Sequence, residues 1–294
     1  MNKAIVSVLM TSYNREKYVA EAIESVIAQT FTEWELIIVD DQSKDATVSI
    51  AKDYAKKDSR IKVYINNHNL GDYPNRNQAA SYATGKYLKY LDADDLLYPH
   101  ALEVMVNAME RYPECSWGLM APAPTGSQPY PFMLDKRSVW HRGIFNGWRI
   151  FGRSPLSLIF TKEIFDKVGG FSGKQHVGDY ELIHILSCKS PMVAFEGGLA
   201  WYRIHDDQQS CDNRTDHFVP FKYLKIRLDA LKNLDIPLTS NELKIIEGQT
   251  NKAAVIMMIK ELLHCNFEES KKMKNHIGWK YIRVINCAIK ALCC

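Results

Sequence analysis

The chain has no run of about 18 apolar residues, the length a membrane-spanning helix requires. It has no Cys-x-x-Cys pair. Its seven cysteines (Cys115, Cys188, Cys211, Cys265, Cys287, Cys293, Cys294) are odd in number and show no metal spacing. That pattern indicates neither a disulfide framework nor a zinc site, and it suits reduced thiols in a reducing compartment. No Gly-x-x-x-x-Gly-Lys-Ser/Thr loop is present, which argues against a P-loop NTPase. Ser7, Ser12 and Ser43 lack the Gly-x-Ser-x-Gly elbow of a serine hydrolase. His68, His100, His141, His176 and His184 have no metal-ligand spacing. The net charge of +3 is too small to mark a nucleic-acid partner. The start of the chain, with one Lys before Ala4 to Met10 and no small-residue cleavage site, reads as a first core strand rather than a signal sequence. Internal repeats and low-complexity tracts are missing as well.

What is present is an alternation of strand and helix patterns over the first hundred residues. Ile5–Met10, Leu36–Val39, Ile61–Ile65 and Lys86–Leu91 are short apolar or alternating runs. Between them, Val19 to Ile27, Ala46 to Ala55 and Asn75 to Ala83 carry apolar residues at helical spacing. This rhythm predicts βαβ units and a parallel sheet. A helix is expected over 96–112, with Pro99 in its first turn. Residues 121–155, broken by five prolines and four glycines, read as a long irregular loop facing substrate. Further on, Leu156–Phe160 predicts a strand, Lys162–Val168 a helix stopped by Gly169-Gly170, Asp179–Leu186 a helix and Met192–Tyr202 a strand. Helices are expected over 218–234 and 240–264. Residues 270–294 hold six Lys or Arg and no acid, with Ile277, Tyr281, Ile282, Ile285 and Ile289 on one side. This basic amphipathic helix suits either an anionic membrane surface or packing on the body of the protein.

The informative residues sit where these strands end. Ile38-Val39 runs into Asp40-Asp41, and Tyr90-Leu91 runs into Asp92-Ala93-Asp94-Asp95. If the strands are parallel, both acidic ends lie on one edge of the sheet, where open α/β sheets bind ligands. Carboxylates there suit Mg²⁺, which takes one or two of them together with substrate phosphates. Four stretches stand in order: Val6 to Asn14, Ile38 to Asp45, Gly71 to Asn77 and Asp92 to Asp95. Taken together, this set resembles the family 2 glycosyltransferases of the GT-A fold, over roughly residues 4 to 210.

The resemblance implies a Rossmann-like, mostly parallel central sheet flanked by helices, with a helical C-terminal extension. It divides the chain into a catalytic domain, 1–215, and a helical region, 216–294. Within the former, 1–95 binds nucleotide and 96–215 binds acceptor. It implies that Thr11 and Tyr13 line the nucleotide base, that Asp41 accepts the base N–H, and that Arg76 lies near the nucleotide. Asp92 is implied on the ribose side and Asp94 on a Mn²⁺ or Mg²⁺ ion. Asp95 is expected instead to cap a helix starting at Leu96. After Gly169-Gly170-Phe171 the family usually has a Glu-Asp pair opening a helix. Here the pair reads Gly178-Asp179, so the match is partial; Asp179 falls on the catalytic-base position and Glu181 is the rival. His205, after Trp201-Tyr202-Arg203-Ile204, matches a position that ligates metal or contacts diphosphate. Gln42 stands where the family often has Gly.

The implied activity is inverting transfer of a hexosyl or N-acetylhexosaminyl group from a nucleoside-diphosphate sugar, UDP favoured, to a glycan or lipid-linked hydroxyl in polysaccharide or cell-surface glycan biosynthesis. A cytoplasmic location, peripheral membrane contact through 270–294 and homo-oligomerisation are compatible with this reading, and a nucleic-acid partner is not expected. Sugar-1-phosphate nucleotidyl transfer is the competing enzyme class, although Thr11 to Arg15 is not glycine-rich. A non-catalytic protein that binds sugar nucleotide on the same fold is the other alternative.

Overall fold

The structure, a computed structural model, describes residues 4–121, 128–205, 218–263 and 266–277. The chain divides into two compact units, Met1–Ile204 and His205–Cys294. The boundary expected at 215 lies outside the described residues.

The first unit opens with strand β1 (Val6–Ser12), helix α1 (Val19–Ile27), β2 (Trp34–Asp40), α2 (Thr47–Ala55), β3 (Ile61–Ile65), α3 (Asp72–Ser81) and β4 (Tyr87–Tyr90). β5 (Leu96–Leu97), α4 (Ala101–Arg111), β6 (Trp117–Met120), β7 (Phe132–Leu134) and α5 (Lys136–Ile144) follow. The unit closes with β8 (Leu158–Thr161), α6 (Lys162–Val168), α7 (Gly178–Lys189), β9 (Met192–Phe195) and β10 (Ala200–Trp201). The main sheet has the order β3-β2-β1-β4-β8-β6-β9-β7. Strands β3, β2, β1 and β4 are mutually parallel, and β6 is parallel to β9. β8 runs antiparallel to both its neighbours, and β7 antiparallel to β9.

Every residue of β2 is buried, which is what a parallel strand covered on both faces needs and what its Leu-Ile-Ile-Val run supplies. On α1, Val19, Ala22, Ile23 and Val26 form the buried stripe. They pack into one core with Val6, Val8, Leu36, Ile38 and Met105.

Four expectations need correction. Leu96–Leu97 is not the start of a helix but a short strand pairing antiparallel with Ala200–Trp201, and α4 begins only at Ala101. Asp95 therefore caps nothing, because its carboxylate accepts the backbone N–H of Arg203 at 2.9 Å. The stretch read as an irregular loop carries β7 and α5 within its described part. Asp135 caps α5 by accepting the Ser138 N–H. The strand expected over 192–202 is two strands in two sheets, broken at Gly198, whose φ of +78° is incompatible with continuing the first.

In the second unit, helices Val219–Asn233, Ser240–Leu263 and Phe267–Ile277 share a core of Phe218, Phe221, Leu228, Val255, Met258 and Met273. The basic stretch expected to be helical over 270–294 is described only as far as Ile277; residues 278–294 lie outside the described residues. Among the described residues no helix is long and apolar enough to cross a membrane.

Candidate active site

Parallel pairing of β1, β2 and β4 brings Ser12, Asp40 and Leu91 to the same carboxyl edge. The chain leaves each strand there as a short loop carrying acids. Asp40, fully buried, accepts Ser12 Oγ at 2.9 Å and the Ser43 N–H at 2.8 Å, so it holds the loop shut. Gln42 takes the left-handed φ of +72° that glycine would adopt without strain, and its side-chain amide donates to the Asn66 carbonyl.

Asp41 is buried and its oxygens are well supplied. Oδ1 accepts Asn66 Nδ2 at 2.7 Å and the Leu70 N–H at 2.8 Å, and Oδ2 accepts the Gly71 N–H at 2.9 Å. Asn66 also donates to Asn75 Oδ1 at 2.9 Å, which ties Asp41 to α3. Thr11 lies next to the end of β1, opposite Val39, and Tyr13 stands half exposed just beyond the strand.

One turn of α3 reaches the remaining acids. Arg76, buried, pairs with Asp72 at 2.7 Å and with Asp92 Oδ1 at 2.7 Å. Burial opposes its charge, but the two carboxylates hold its proton well above the ordinary arginine value. Asp92 is pushed up by burial and by Asp94, with Arg76 pulling the other way. Asp94 Oδ2 pairs with Arg15 Nε at 2.8 Å. Burial, Asp92 and then Asp94 push the Asp95 carboxyl up to about 8. The Asp94-Asp95 turn is gripped by Arg203, which donates Nε to the Asp94 carbonyl and its backbone N–H to Asp95, and pairs with Glu21 at 2.6 Å.

Asp179 arrives from the far half of the sheet, in the first turn of α7. It is not the helix cap; Val177 holds that place. Its Oδ1 accepts the Tyr73 hydroxyl at 3.0 Å and the Tyr180 N–H at 2.7 Å. Burial pushes its carboxyl above the usual carboxylate value. Glu181 is engaged elsewhere, by the Ser172 hydroxyl and by Lys174 at 2.6 Å. The turn before α7 is tied to α3 through Asn77, which donates to the Phe171 carbonyl at 2.8 Å and accepts the Phe171 N–H at 2.9 Å. Gly170 makes this possible: its φ is +67°, and a Cβ there would sit 2.5 Å from Asn77 Oδ1.

The structure thus links Asp41, Arg76, Asp92 and Asp179 through α3, with Asp94 two residues past Asp92. His205 is the first residue of the second unit. Tyr73, Asn75, Asn66 and Arg203 were not singled out from the sequence, although Tyr73, Asn75 and Arg203 lie inside the quoted motifs. The side chains of Asn66, Tyr73 and Arg203 act on acids 25 to 182 residues away, and Asn75 steadies Asn66, distances no local pattern reports.

The chain is 44% identical over 108 residues to "Putative glycosyltransferase EpsE" of Bacillus subtilis, 36% of this chain and 39% of the relative. It is 38% identical over 109 residues to "UDP-Glc:alpha-D-GlcNAc-diphosphoundecaprenol beta-1,3-glucosyltransferase WfgD" of Escherichia coli, 37% of this chain and 42% of that one. The matches thus span well under half the length of these curated relatives. Among solved structures, S. aureus TarS 1-349 in complex with UDP-GlcNAc superposes with a TM-score of 0.62 at 19% identity, over 96% of this chain and 79% of that chain. The mannosyltransferase PcManGT of Pyrobaculum calidifontis, in complex with GDP-Man and Mn²⁺, gives 0.60 at 14%, over 99% and 88%. Both likenesses concern the fold. The sequence model of Glycosyl transferase family 2 matches residues 7–174, more than half of the chain. The chain belongs to glycosyltransferase family 2.

Proposed function

We propose that the chain transfers a sugar from a nucleoside-diphosphate sugar, UDP favoured, to a hydroxyl of a glycan or lipid-linked acceptor, with inversion at the anomeric carbon. The observation that carries this reading is the tying of Asp41, Asp92 and Asp179 to one helix, α3, at the carboxyl edge of the parallel strands. Three acids from separate stretches are held there with distinct environments, as a donor site and a proton acceptor require. The names of two similar proteins support the choice of UDP and of a glycan acceptor: WfgD carries UDP-Glc and a diphosphoundecaprenol sugar in its name, and TarS was solved with UDP-GlcNAc.

In this reading Asp41 accepts the imide N–H of uracil, with Thr11 and Tyr13 lining the base. Arg76 fixes Asp92 beside the ribose. Asp179 takes the proton of the acceptor hydroxyl as that oxygen attacks the anomeric carbon from the face opposite the leaving diphosphate. General-base help of this kind is worth roughly 10²–10⁴-fold. The attack inverts the centre in one step and needs no enzyme nucleophile.

Among the described residues no three His, Cys, Asp or Glu side chains converge as a complete metal cage. A Mg²⁺ or Mn²⁺ that takes one or two carboxylates and completes its shell with phosphate needs no such cage. The residues fit it: Asp92, Asp94 and Asp95 crowd three carboxylates into four positions, and Asp95 Oδ2 is buried without a hydrogen-bond partner. Asp94 would hold the ion; when bound, the ion would offset charge on the departing diphosphate. The basic stretch 270–294 suits a lipid-linked acceptor at a cytoplasmic membrane face.

Thermal shift with UDP-, GDP- and dTDP-sugars, each with and without Mn²⁺, tests the donor site. Metal-dependent stabilisation by the UDP-sugars is expected, since a ligand bound to the folded state alone raises Tm. No stabilisation by any of them would sink the donor assignment. Release of pyrophosphate, rather than a nucleoside diphosphate, would move the chain to nucleotidyl transfer.

A further inference from the structure

Position 178 is where the chain departs from the acidic pair of its family, and the structure shows what fills the space. A Cβ on Gly178 would lie 2.8 Å from Tyr73 Cδ2, 2.9 Å from Cε2 and 3.0 Å from Cγ. The Tyr73 ring therefore rests against the bare backbone at the start of α7. It is 5% exposed and packs on Phe171 at 5.1 Å between ring centroids. From there its hydroxyl donates to Asp179 Oδ1 at 3.0 Å. The Tyr180 N–H falls on the same oxygen, so the described hydrogen bonds leave Oδ2 as the oxygen available to a proton. Burial, with Asp179 and Asp72 nearby, holds the Tyr73 proton far above the ordinary tyrosine value, so the hydroxyl stays a donor throughout the working range.

Tyr73 also stands one helical turn from Arg76, on the same side of α3. That turn thereby orients acids on both flanks of the site: Asp92 through Arg76 and Asp179 through Tyr73.

We propose that Tyr73 is the positioning residue of the catalytic base: its hydroxyl aims the Asp179 carboxylate, and Gly178 is the notch that admits its ring. This rests on Asp179 being the base. The groups that face Asp179 are Tyr73, Asp72 and Arg76 from α3, together with the Tyr180 N–H of its own helix. A hydroxyl donated to a carboxylate favours the charged form. Removing it should make Asp179 harder to ionise and free its side chain to rotate.

The test is Tyr73→Phe, which keeps the ring and deletes the hydroxyl. The Asp179 titration is followed by NMR with ¹³Cγ-labelled aspartate, assigned by its loss in Asp179→Asn. In Tyr73→Phe the Asp179 midpoint should rise by about one unit. The acid limb of kcat for UDP-glucose hydrolysis should move with it, with kcat down about tenfold and KM within about twofold. Gly178→Ala should give the same direction of shift by pushing the ring away while the hydroxyl is retained. The two substitutions together should cost less than the product of their separate effects, because both act on one contact. An unmoved Asp179 midpoint in folded Tyr73→Phe overturns the proposal, as do losses that simply multiply. If Asp179→Asn retains its turnover, the base assignment itself fails; if it is inactive while Tyr73→Phe is unmoved, only the positioning role fails. Should Tyr73→Phe not fold, the Gly178→Ala midpoint decides the question.

Discussion

The two halves of the sheet hold their acids in different ways. On the side proposed for the donor, β1 to β4 run parallel, and Asp41 receives two backbone N–H groups and an amide, while Asp92 has a buried arginine. On the side proposed for the acceptor, strands of two to four residues mix directions, and Asp179 has one hydroxyl and one neighbouring N–H. The difference lies in the supply of donors rather than in burial, since burial pushes the Asp92 carboxyl up as well, with Arg76 pulling the other way. Asp179 is buried too and pushed above the usual carboxylate value, and few donors oppose the push, which suits the proton acceptor proposed above. Acids that only bind are best over-supplied with donors. An acid that must change its charge has to be under-supplied.

The sharpest way to break this contrast is Asp179→Asn. It preserves shape and removes proton acceptance, so donor turnover should fall by roughly 10²–10⁴-fold. UDP affinity, measured by calorimetry, should stay within about threefold. A large loss of UDP affinity with turnover preserved would reverse the roles assigned to the two halves.

Asp41→Ala probes the other side. It strips the acceptor from the Leu70 and Gly71 N–H groups and from Asn66. Buried donors left without partners cost about 1–3 kcal/mol each, less any reached by water, so a total loss of about 2–4 kcal/mol is expected. Urea denaturation measures it, and UDP binding should weaken by at least about tenfold. A variant as stable as the parent would show that Asp41 is not the organiser of its loop.

A test confined to stability concerns Lys89, fully buried on β4 and donating to the carbonyls of Leu156 and Leu158. Burial pushes its ammonium down to about 7, with Asp92 and Asp95 resisting. Between about 7 and the unfolded value near 10.5, the unfolded chain binds the extra proton, so this group's contribution to stability rises with pH there. Below 7 both states are protonated and its penalty is constant and largest. The stability of Lys89→Met relative to the parent should therefore be greatest at pH 6 to 7 and shrink steadily toward pH 9.5. A difference that does not vary with pH would mean the buried amine stays protonated throughout.

Local pattern made the parallel half legible. The helix at Val19–Ile27 and the strand at Ile61–Ile65 have the residues expected, because an apolar stripe at helical spacing and a β-branched run each encode their partner face. Pattern failed where a segment's state depends on a distant pairing. Leu96–Leu97 is a strand only because Ala200–Trp201 lies beside it. Within the stretch rich in proline and glycine, Phe132–Leu134 is a strand because β9 offers it an edge. Asp95, placed by local rules at a helix start, was claimed by Arg203 from the other end of the unit.

By itself the sequence determined the alternation of strands and helices and the acids at the strand ends, since these follow from residue type and short-range spacing, while the candidate base came from the resemblance to the family. The tertiary structure alone decided which neighbour each acid has. Arg76 beside Asp92, the Tyr73 hydroxyl on Asp179 and the bare backbone at Gly178 that admits its ring depend on α3 lying against the first turn of α7. Side-chain contacts such as that between Tyr73 and Asp179, 106 positions apart, are set by how the elements pack, and packing is not a local property of the chain.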